Sequence, residues 1–591
     1  MPGPTRRGRI RGAAIVIAIG GLLSLTLLHL KASETASAQA SQPNVILLLT
    51  DDQTLAEMAG LPQTSALIGG HGATFSRAYV SYPLCCPSRA AILTGQYMHD
   101  NGVHGNSPPD GGWQRFHGQG LEERSLPVWL RSAGYYNVQI GKYLNGYGGS
   151  PAPIPPGWDE WYGKLSEYDA SVHGARLYFN YGVREDPPAD AGLPCPGRDP
   201  VDPGEPFTCR YGEDASDYQT DVFREMAVEA IHRLSDDGQT PFFLNVDFNA
   251  PHSPYVPAPR DQNTLAGLHL PPEPGTNERN TSDKPFFLRR LPRLGLGKLA
   301  GIEQRRRSRL EMLRSVDYAI WRIVQTLAAE GQLDNTYLIF TSDNGYFSGE
   351  HRIRQGKYLP HEPSSHVPLL IRGPGIPAGG VSGELASNVD IASTIGQMAG
   401  APALLPQDGR SLLPYAQQPS LRTTRPILLE GDTGSNIDDE GSEGPVTQNQ
   451  VDSRRFQKRV RKQKKRLRRR CRKLKRQSPK RAILCYRQGV RNIEQEPVDS
   501  IYKLQAPAYR GIRTDRYALF LYATGEVELY DMWRDPYQLS SVAKNRRYRK
   551  PRKWLLGRLN QFARCSGASC SAGLGPEPRP AKKKRKKKGR L

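Results

Sequence analysis

Acid is missing from two stretches of this chain. Arg454–Arg481 holds 18 basic residues and Arg579–Leu591 holds nine more, with no Asp or Glu in either. Taking those 27 cations away from the formal charge of +23 leaves −4 for everything else. The body is therefore close to neutral, and the overall basicity says little about its core. Long hydrophobic runs are also lacking. Only Ala13–Leu30, 18 residues, is long enough to cross a bilayer. Arginines precede it, and Ala-x-Ala follows at Ala36–Ala38 and Ala38–Ala40. That is the plan of a secretory signal peptide, with an N-terminal membrane anchor as the alternative. Either one puts the body outside the cytoplasm. No internal repeat is present.

Cysteine is scarce, eight in 591 residues. Export permits disulfides, and three close couples suggest themselves: Cys195–Cys209, Cys471–Cys485 and Cys565–Cys570. They leave over the adjacent pair in "PLCCPSRAAILTG", Pro83–Gly95.

"PNVILLLTDDQ" is an unbroken apolar run ending in Asp51 and Asp52, as in a parallel strand buried on both faces. The same grammar recurs in "YYNVQIGKY" ending at Lys142, "PFFLNVDFNAPH" ending at His252, "NTYLIFTSDNG" ending at Asp343 and Asn344, and "VPLLIRGPG". Helical stretches at 220–234 and 309–329 lie between them. Alternating strands and helices predict an α/β fold, whose ligands gather beyond the carboxyl ends of the strands. Residues 150–209, rich in Pro and Gly, read as long loops. The domain plan is a signal or anchor (1–40), a catalytic domain (41–431), a polar and strongly basic insertion (432–500), a small antiparallel-sheet C-terminal subdomain (501–570) and a disordered basic tail (571–591).

Asp51, Asp52, Asp343 and Asn344 offer hard oxygen ligands, which suit Ca2+ or Mg2+ and not Zn2+. Lys142, His252 and Lys357 supply cations and a titratable donor that can gather a tetrahedral oxyanion around such an ion. Pro87 fits the first turn of a helix, so the residues before it face a positive helix end, and Arg89 can reach back to the same spot.

Cys85-x-Pro87-x-Arg89 followed by Leu93-Thr94-Gly95 resembles the signature of the type I sulfatases. "TDDQ", "GKY", "APHSP" and "TSDNG" agree in order and spacing, as does Lys357 with Glu362. The resemblance spans roughly 43–400, resumes at 509–539, and runs nearest to the N-acetylglucosamine-6-sulfatases and the extracellular heparan sulfate 6-O-endosulfatases. It implies an alkaline-phosphatase-like fold, with a mostly parallel central sheet flanked by helices. It also implies that a separate formylglycine-generating enzyme oxidises Cys85. The hydrated aldehyde offers one hydroxyl to attack sulfur and a second to expel sulfate afterwards. By the same resemblance Asp51, Asp52, Asp343, Asn344 and residue 85 bind Ca2+, Arg89 and Lys142 steady the diol and the sulfate, His252 and Lys357 hold the ester, and either His252 or Lys357 protonates the leaving oxygen. Leu144 stands where many members carry histidine, a difference shared by the "GKYLN" branch.

The expected substrate is a sulfate ester on a sugar or glycan. The alternatives are a phosphate or phosphonate ester hydrolase on the same scaffold, or a catalytically silent polyanion-binding surface protein. The run 454–481 suits a polyanion or a negatively charged cell envelope. Nucleic acid would bind it too, but export removes that as a physiological partner.

Overall fold

The computed structural model describes residues 42–148, 152–165, 178–186, 195–198, 206–238, 240–432 and 506–582. The proposed signal segment, the basic run 454–481 and the Cys471–Cys485 couple lie outside the described residues. The chain divides after Gln42, and Pro43–Leu591 forms one unit. Among the described residues no helix is long and apolar enough to cross a membrane.

Four strands at the centre of the large sheet run parallel: β1 (Asn44–Thr50), β2 (Tyr136–Lys142), β3 (Phe242–Asp247) and β4 (Thr336–Ser342). They lie in the order β4-β1-β3-β2, and Glu160–Lys164 adds a fifth parallel strand beside β2. Both faces of all four are covered; β1 and β4 are largely apolar throughout, whereas β2 and β3 also bury Asn137, Gln139 and Asn245. Val45, Leu47 and Leu49 pack with α1 (Cys85–Thr94) and α4 (Asp390–Ala399). Ile46 and Leu48 point the other way, to α2 (Gln219–Asp237) and α3 (Leu296–Ala329). This is the period-two alternation of a strand between two helical layers.

The edges differ from the sequence reading. Leu369–Arg372, within "VPLLIRGPG", pairs antiparallel to β4, so its carboxyl end points away from the site. The stretch 150–209 is more than loop. Tyr181–Asp186 and Phe207–Tyr211 extend the sheet antiparallel and bury Tyr181, Val183, Phe207 and Tyr211. Local Pro and Gly content hid that apolar content.

The C-terminal sheet has strands Tyr509–Arg513, Tyr517–Tyr522 and Val527–Asp531, plus Ile427–Gly431 from far earlier in the chain. A boundary at 431 therefore follows a strand that belongs to the later sheet. The helix α5 (Arg549–Phe562) covers one face of this sheet with Leu555, Leu559 and Phe562. Disulfides Cys195–Cys209 and Cys565–Cys570 are formed, and Cys86 is a buried free thiol. Residues 571–582 of the tail expected to be disordered are placed against the fold. Leu574 is buried, and the Tyr517 hydroxyl donates to the Pro578 carbonyl at 2.9 Å.

Glu528 ties this sheet to the segment that carries Lys357. It accepts from the Tyr522 hydroxyl at 2.6 Å and from that of Tyr530, and the His361 ring nitrogen lies 3.2 Å away. Burial alone would raise its pKa. The His361 ring and the two hydroxyls outweigh burial and hold it at about 2. Its folded value lies below the unfolded one, so the stability it contributes is present above about pH 4.5 and is lost as pH falls toward 2. Roughly 3 kcal/mol should disappear over that window. Urea titrations at stepped pH are expected to show this component in the parent and to lack it in Glu528→Gln.

Candidate active site

The register places the site. Thr50 pairs with Ser342, Leu49 with Asp247, and Asp247 with Gly141. Neighbouring strands lie about 4.8 Å apart, so Asp51 and Asp52, Asp343 and Asn344, Asp247 and Lys142 converge on one sheet edge. Gly141, at φ +97°, lets β2 and β3 approach closely, since a Cβ there would stand 2.1 Å from the Asp247 carbonyl oxygen.

Helix α1 delivers residue 85. Leu84 is extended, Cys85 is the first helical residue, Pro87 occupies the first turn, and Gly95 ends the helix at φ +69°. All ten helical residues are buried. The Cys86 amide donates to Asn106 Oδ1 at 2.9 Å, while Cys85 Sγ receives a hydrogen bond from Lys357 Nζ at 2.7 Å and lies 3.5 Å from Asp51 Oδ1. Lys357 arrives on a strained segment. Tyr358 has φ +88°, and its amide donates to the Pro83 carbonyl at 2.8 Å, which ties Lys357 to the Cys85 turn.

The charges interlock. Lys142 pairs with Asp51 and Lys357 with Asp52. Arg89 Nε donates to Asp343 Oδ2 at 2.8 Å, and its Nη1 donates to the Lys142 carbonyl at 2.9 Å. Asn344 Nδ2 donates to Asp52 Oδ1 at 2.6 Å, and His252 Nε2 lies 3.7 Å from Asp52 Oδ2. The His252 Nδ1 contact at 2.7 Å is to the Ser253 carbonyl, which can only accept, so Nδ1 carries a proton and Nε2 faces the site. Burial opposes ionisation of Asp51, but Lys142, His252, Lys357 and Arg89 outweigh it and hold its carboxyl well below the usual range. Burial and the Asp51 charge push the Cys85 thiol up. Burial, and then Asp51, raise Asp343, while Lys357 is pushed up despite burial by Asp52 and its neighbours.

These residues fit a divalent cation. The donor atoms of Asp51, Asp52, Cys85 and His252 lie within 4.8 Å of one another. Asn344 Oδ1 is buried with no hydrogen-bond partner among the described residues, and an unsatisfied amide oxygen beside two carboxylates is a hard-cation donor. The structure thus brings Asp51, Asp52, Cys85, Arg89, Lys142, His252, Asp343, Asn344 and Lys357 to one place, while Glu362 pairs with Tyr79, His366 and Arg513. It adds His252 to the tightest donor group, while Asp343 Oδ1 accepts from the Asp52 amide at 3.1 Å.

Sequence reasoning missed three supports. Asp247, a strand-end acid in "NVDF", lies 3.5 Å from Arg89, and burial raises it to about 6. Ser88 is held through Asn388 Nδ2 at 2.9 Å. Arg309, in a run that looks like helix surface, is fully buried. It bonds Glu57 at 2.6 and 2.8 Å and donates to the Asp52 carbonyl at 2.6 Å, where Asp52 sits at φ +70°. The signal for Glu57 was the capping box with Thr54. Arg309→Met should leave Glu57 charged and unpaired and cost about 3–5 kcal/mol, read as a lowered denaturation midpoint.

Comparison with known proteins follows the same outline. The human N-acetylglucosamine-6-sulfatase is 34% identical over 460 residues, 74% of this chain and 76% of that one. The putative extracellular sulfatase Sulf-1 homolog of Caenorhabditis elegans is 36% identical over 378 residues, 63% of this chain and 49% of that one. The chain therefore spans about half the length of that relative. A solved structure in complex with its substrate D-glucosamine-2-N,6-O-disulfate superposes with TM-score 0.61 at 21% identity, over 88% of this chain and 97% of that one. The phosphonate monoester hydrolase of Agrobacterium radiobacter gives 0.58 at 19%, over 88% and 95%. Both show the shared fold. The sulfatase family profile matches residues 43–401, the stretch that holds all four central strands and every residue of the site, and the chain belongs to that family.

Proposed function

We propose that this protein is an exported hydrolase of sulfate esters carried on a sugar or glycan. The observation that supports it best is the meeting, at the start of α1, of Cys85 Sγ, Lys357 Nζ and Asp51, beside the Asp52–Asn344 carboxylate and amide pair.

Asp51, Asp52, Asp343 and Asn344 would hold Ca2+, with Mg2+ the other hard cation that fits, and residue 85 would complete the set as formylglycine made by a separate maturation enzyme. Together they supply an activated hydroxyl and neutralise charge as it builds on the sulfate. The rest is work for this chain's own side chains. Arg89 spans Asp343 and the Lys142 carbonyl and fixes the floor of the site. Lys142 and Lys357 place ammonium groups where the oxyanion oxygens gather. His252, with Nδ1 committed to Ser253, presents Nε2 toward the leaving alcohol, 3.7 Å from Asp52 Oδ2. Relatives whose names specify N-acetylglucosamine-6-sulfate and extracellular action support a sugar substrate met outside the cytoplasm. The run 454–481 is assigned to a polyanion or the cell envelope.

Turnover of matched aryl esters tests the reading. The sulfate is expected to be hydrolysed faster than the phosphate or the phosphonate. Faster turnover of either phosphorus ester would overturn it. An inert protein whose polyanion binding survives Cys85→Ala would point instead to a silent surface protein.

A further inference from the structure

We propose that the solvent face of α5 is a second binding surface, which holds a sulfated polysaccharide chain while another part of the same polymer occupies the active site. This rests on the sulfate ester reading and narrows it to polymeric substrates.

From Lys544 to Arg564 the sequence has nine basic residues and no acid. The segment is ordered. The helix buries Pro551, Leu555, Leu559 and Phe562, and it presents Arg549, Lys550, Arg552 and Lys553 to solvent. No carboxylate among the described residues pairs with any of these four. Arg552 donates only to the Ala543 carbonyl, at 2.9 Å.

The arrangement is unfavourable for the free protein in two ways. All four cations crowd the first five residues of the helix, whose N-terminal end is already positive. Arg549 and Arg552, and Lys550 and Lys553, are also like charges three apart, each pair costing about 0.2–0.5 kcal/mol. A helix that keeps its charge at the wrong end, with no acid to balance it, is complementary to an anionic partner. The basic face continues beyond the helix through exposed Lys544 and Arg579. Exposed Arg564 lies just past the far end of the 14-residue, about 21 Å helix, so basic side chains stand at both ends, a spacing matched to a polymer and not to a single sugar.

The fold separates this face from the site. Phe520, Tyr522 and Tyr530 of the C-terminal sheet pack with Phe347, Tyr358 and Leu359. Ile512, Leu519 and Leu529 pack with α5 on the opposite face. The sheet thus lies between α5 and the segment that bears Lys357, so a small ester cannot touch both. A chain long enough to pass around the sheet can, and its second contact is then favoured by effective concentration. Sulfated polysaccharide is preferred over a lipid surface or nucleic acid because the active site of the same molecule is built for sulfate.

The full-length protein is titrated with dextran sulfate, with neutral dextran as control, and its lysines are acetylated with an N-hydroxysuccinimide ester and read by peptide mass. Protection of Lys544, Lys550 and Lys553 by dextran sulfate alone is expected. The triple variant Arg549→Glu, Lys550→Glu, Lys553→Glu should keep its melting temperature and its aryl sulfate turnover, bind dextran sulfate at least about tenfold more weakly at near-physiological salt, and show a shallower salt dependence. Unprotected lysines, or unchanged affinity in the variant, would overturn the proposal. So would stronger protection by phosphatidylglycerol vesicles or duplex DNA than by dextran sulfate. Lysine protection needs no turnover, so a protein inert toward aryl sulfate would remove the hydrolase reading while the footprint still decides this one.

Discussion

Cys85→Ala should lower sulfate ester hydrolysis by about 10³-fold or more, whereas Cys86→Ala should keep it. The two thiols are adjacent, both buried, and both on the first turn of α1. Their surroundings separate them. Cys85 Sγ is 2.7 Å from the Lys357 ammonium and 3.5 Å from Asp51. Cys86 belongs to the apolar cluster with Ala90, Tyr143 and Leu144, and burial pushes its thiol up to about 12. Removing the Cys86 sulfur leaves a small cavity and costs about 1 kcal/mol, a shift in stability without a role in turnover. Cys85→Ser divides the reaction further. A serine hydroxyl can attack once but offers no second hydroxyl to release sulfate, so the variant should consume one ester and stop with a sulfate adduct at residue 85. Peptide mass spectrometry reads both this adduct and, in protein from its own host, the conversion of Cys85 to the aldehyde. Full activity in Cys85→Ala would remove residue 85 from the reaction.

Much of this site was legible because each of its groups ends an apolar run. β1 and β4 are buried on both faces and nearly continuous in hydrophobicity, and β2 and β3 keep apolar residues around buried Asn137, Gln139 and Asn245, so the charged residue that ends each run stands out. Strand ends in a parallel sheet share one edge, which makes Asp51, Lys142, His252 and Asp343 neighbours whatever their separation in sequence. Arg309 stayed hidden for the opposite reason. It lies in "RRRSRL", where a charged residue suggests solvent, and only the fold shows that one of those arginines turns inward to Glu57 and the Asp52 carbonyl. Tyr358 gave no sign of its positive φ. The strands of 181–186 and 207–211 were masked by intervening Pro and Gly, and the fourth strand of the C-terminal sheet by the long separation of Ile427–Gly431 from Tyr509–Arg513.

Chelation should destabilise the protein as well as inactivate it. Asp51, Asp52 and Asp343 are three carboxylates held within one buried cluster, where Coulomb repulsion is poorly screened. Lys142, Lys357 and Arg89 answer them in part, and Asn344 Oδ1 has no hydrogen-bond partner among the described residues. A divalent cation resolves both problems in the folded chain and has no comparable cluster to bind in the unfolded one. At about a hundred times its dissociation constant it adds roughly 2.7 kcal/mol to stability. Dialysis against a chelator should therefore lower the melting temperature and abolish turnover. Ca2+ should restore both, and Mg2+ should do so less well where the oxygen ligands depart from an octahedron. Asp51→Asn keeps the shape of the side chain and removes its charge. It should lose most of the Ca2+-dependent shift while retaining the metal-free melting point to within a few degrees, because the Lys142 ammonium keeps a hydrogen-bond acceptor. A calcium-dependent shift of parental size in Asp51→Asn would show that the ion binds elsewhere. No shift in the parent would mean that the three carboxylates are balanced by Lys142, Lys357 and Arg89 alone.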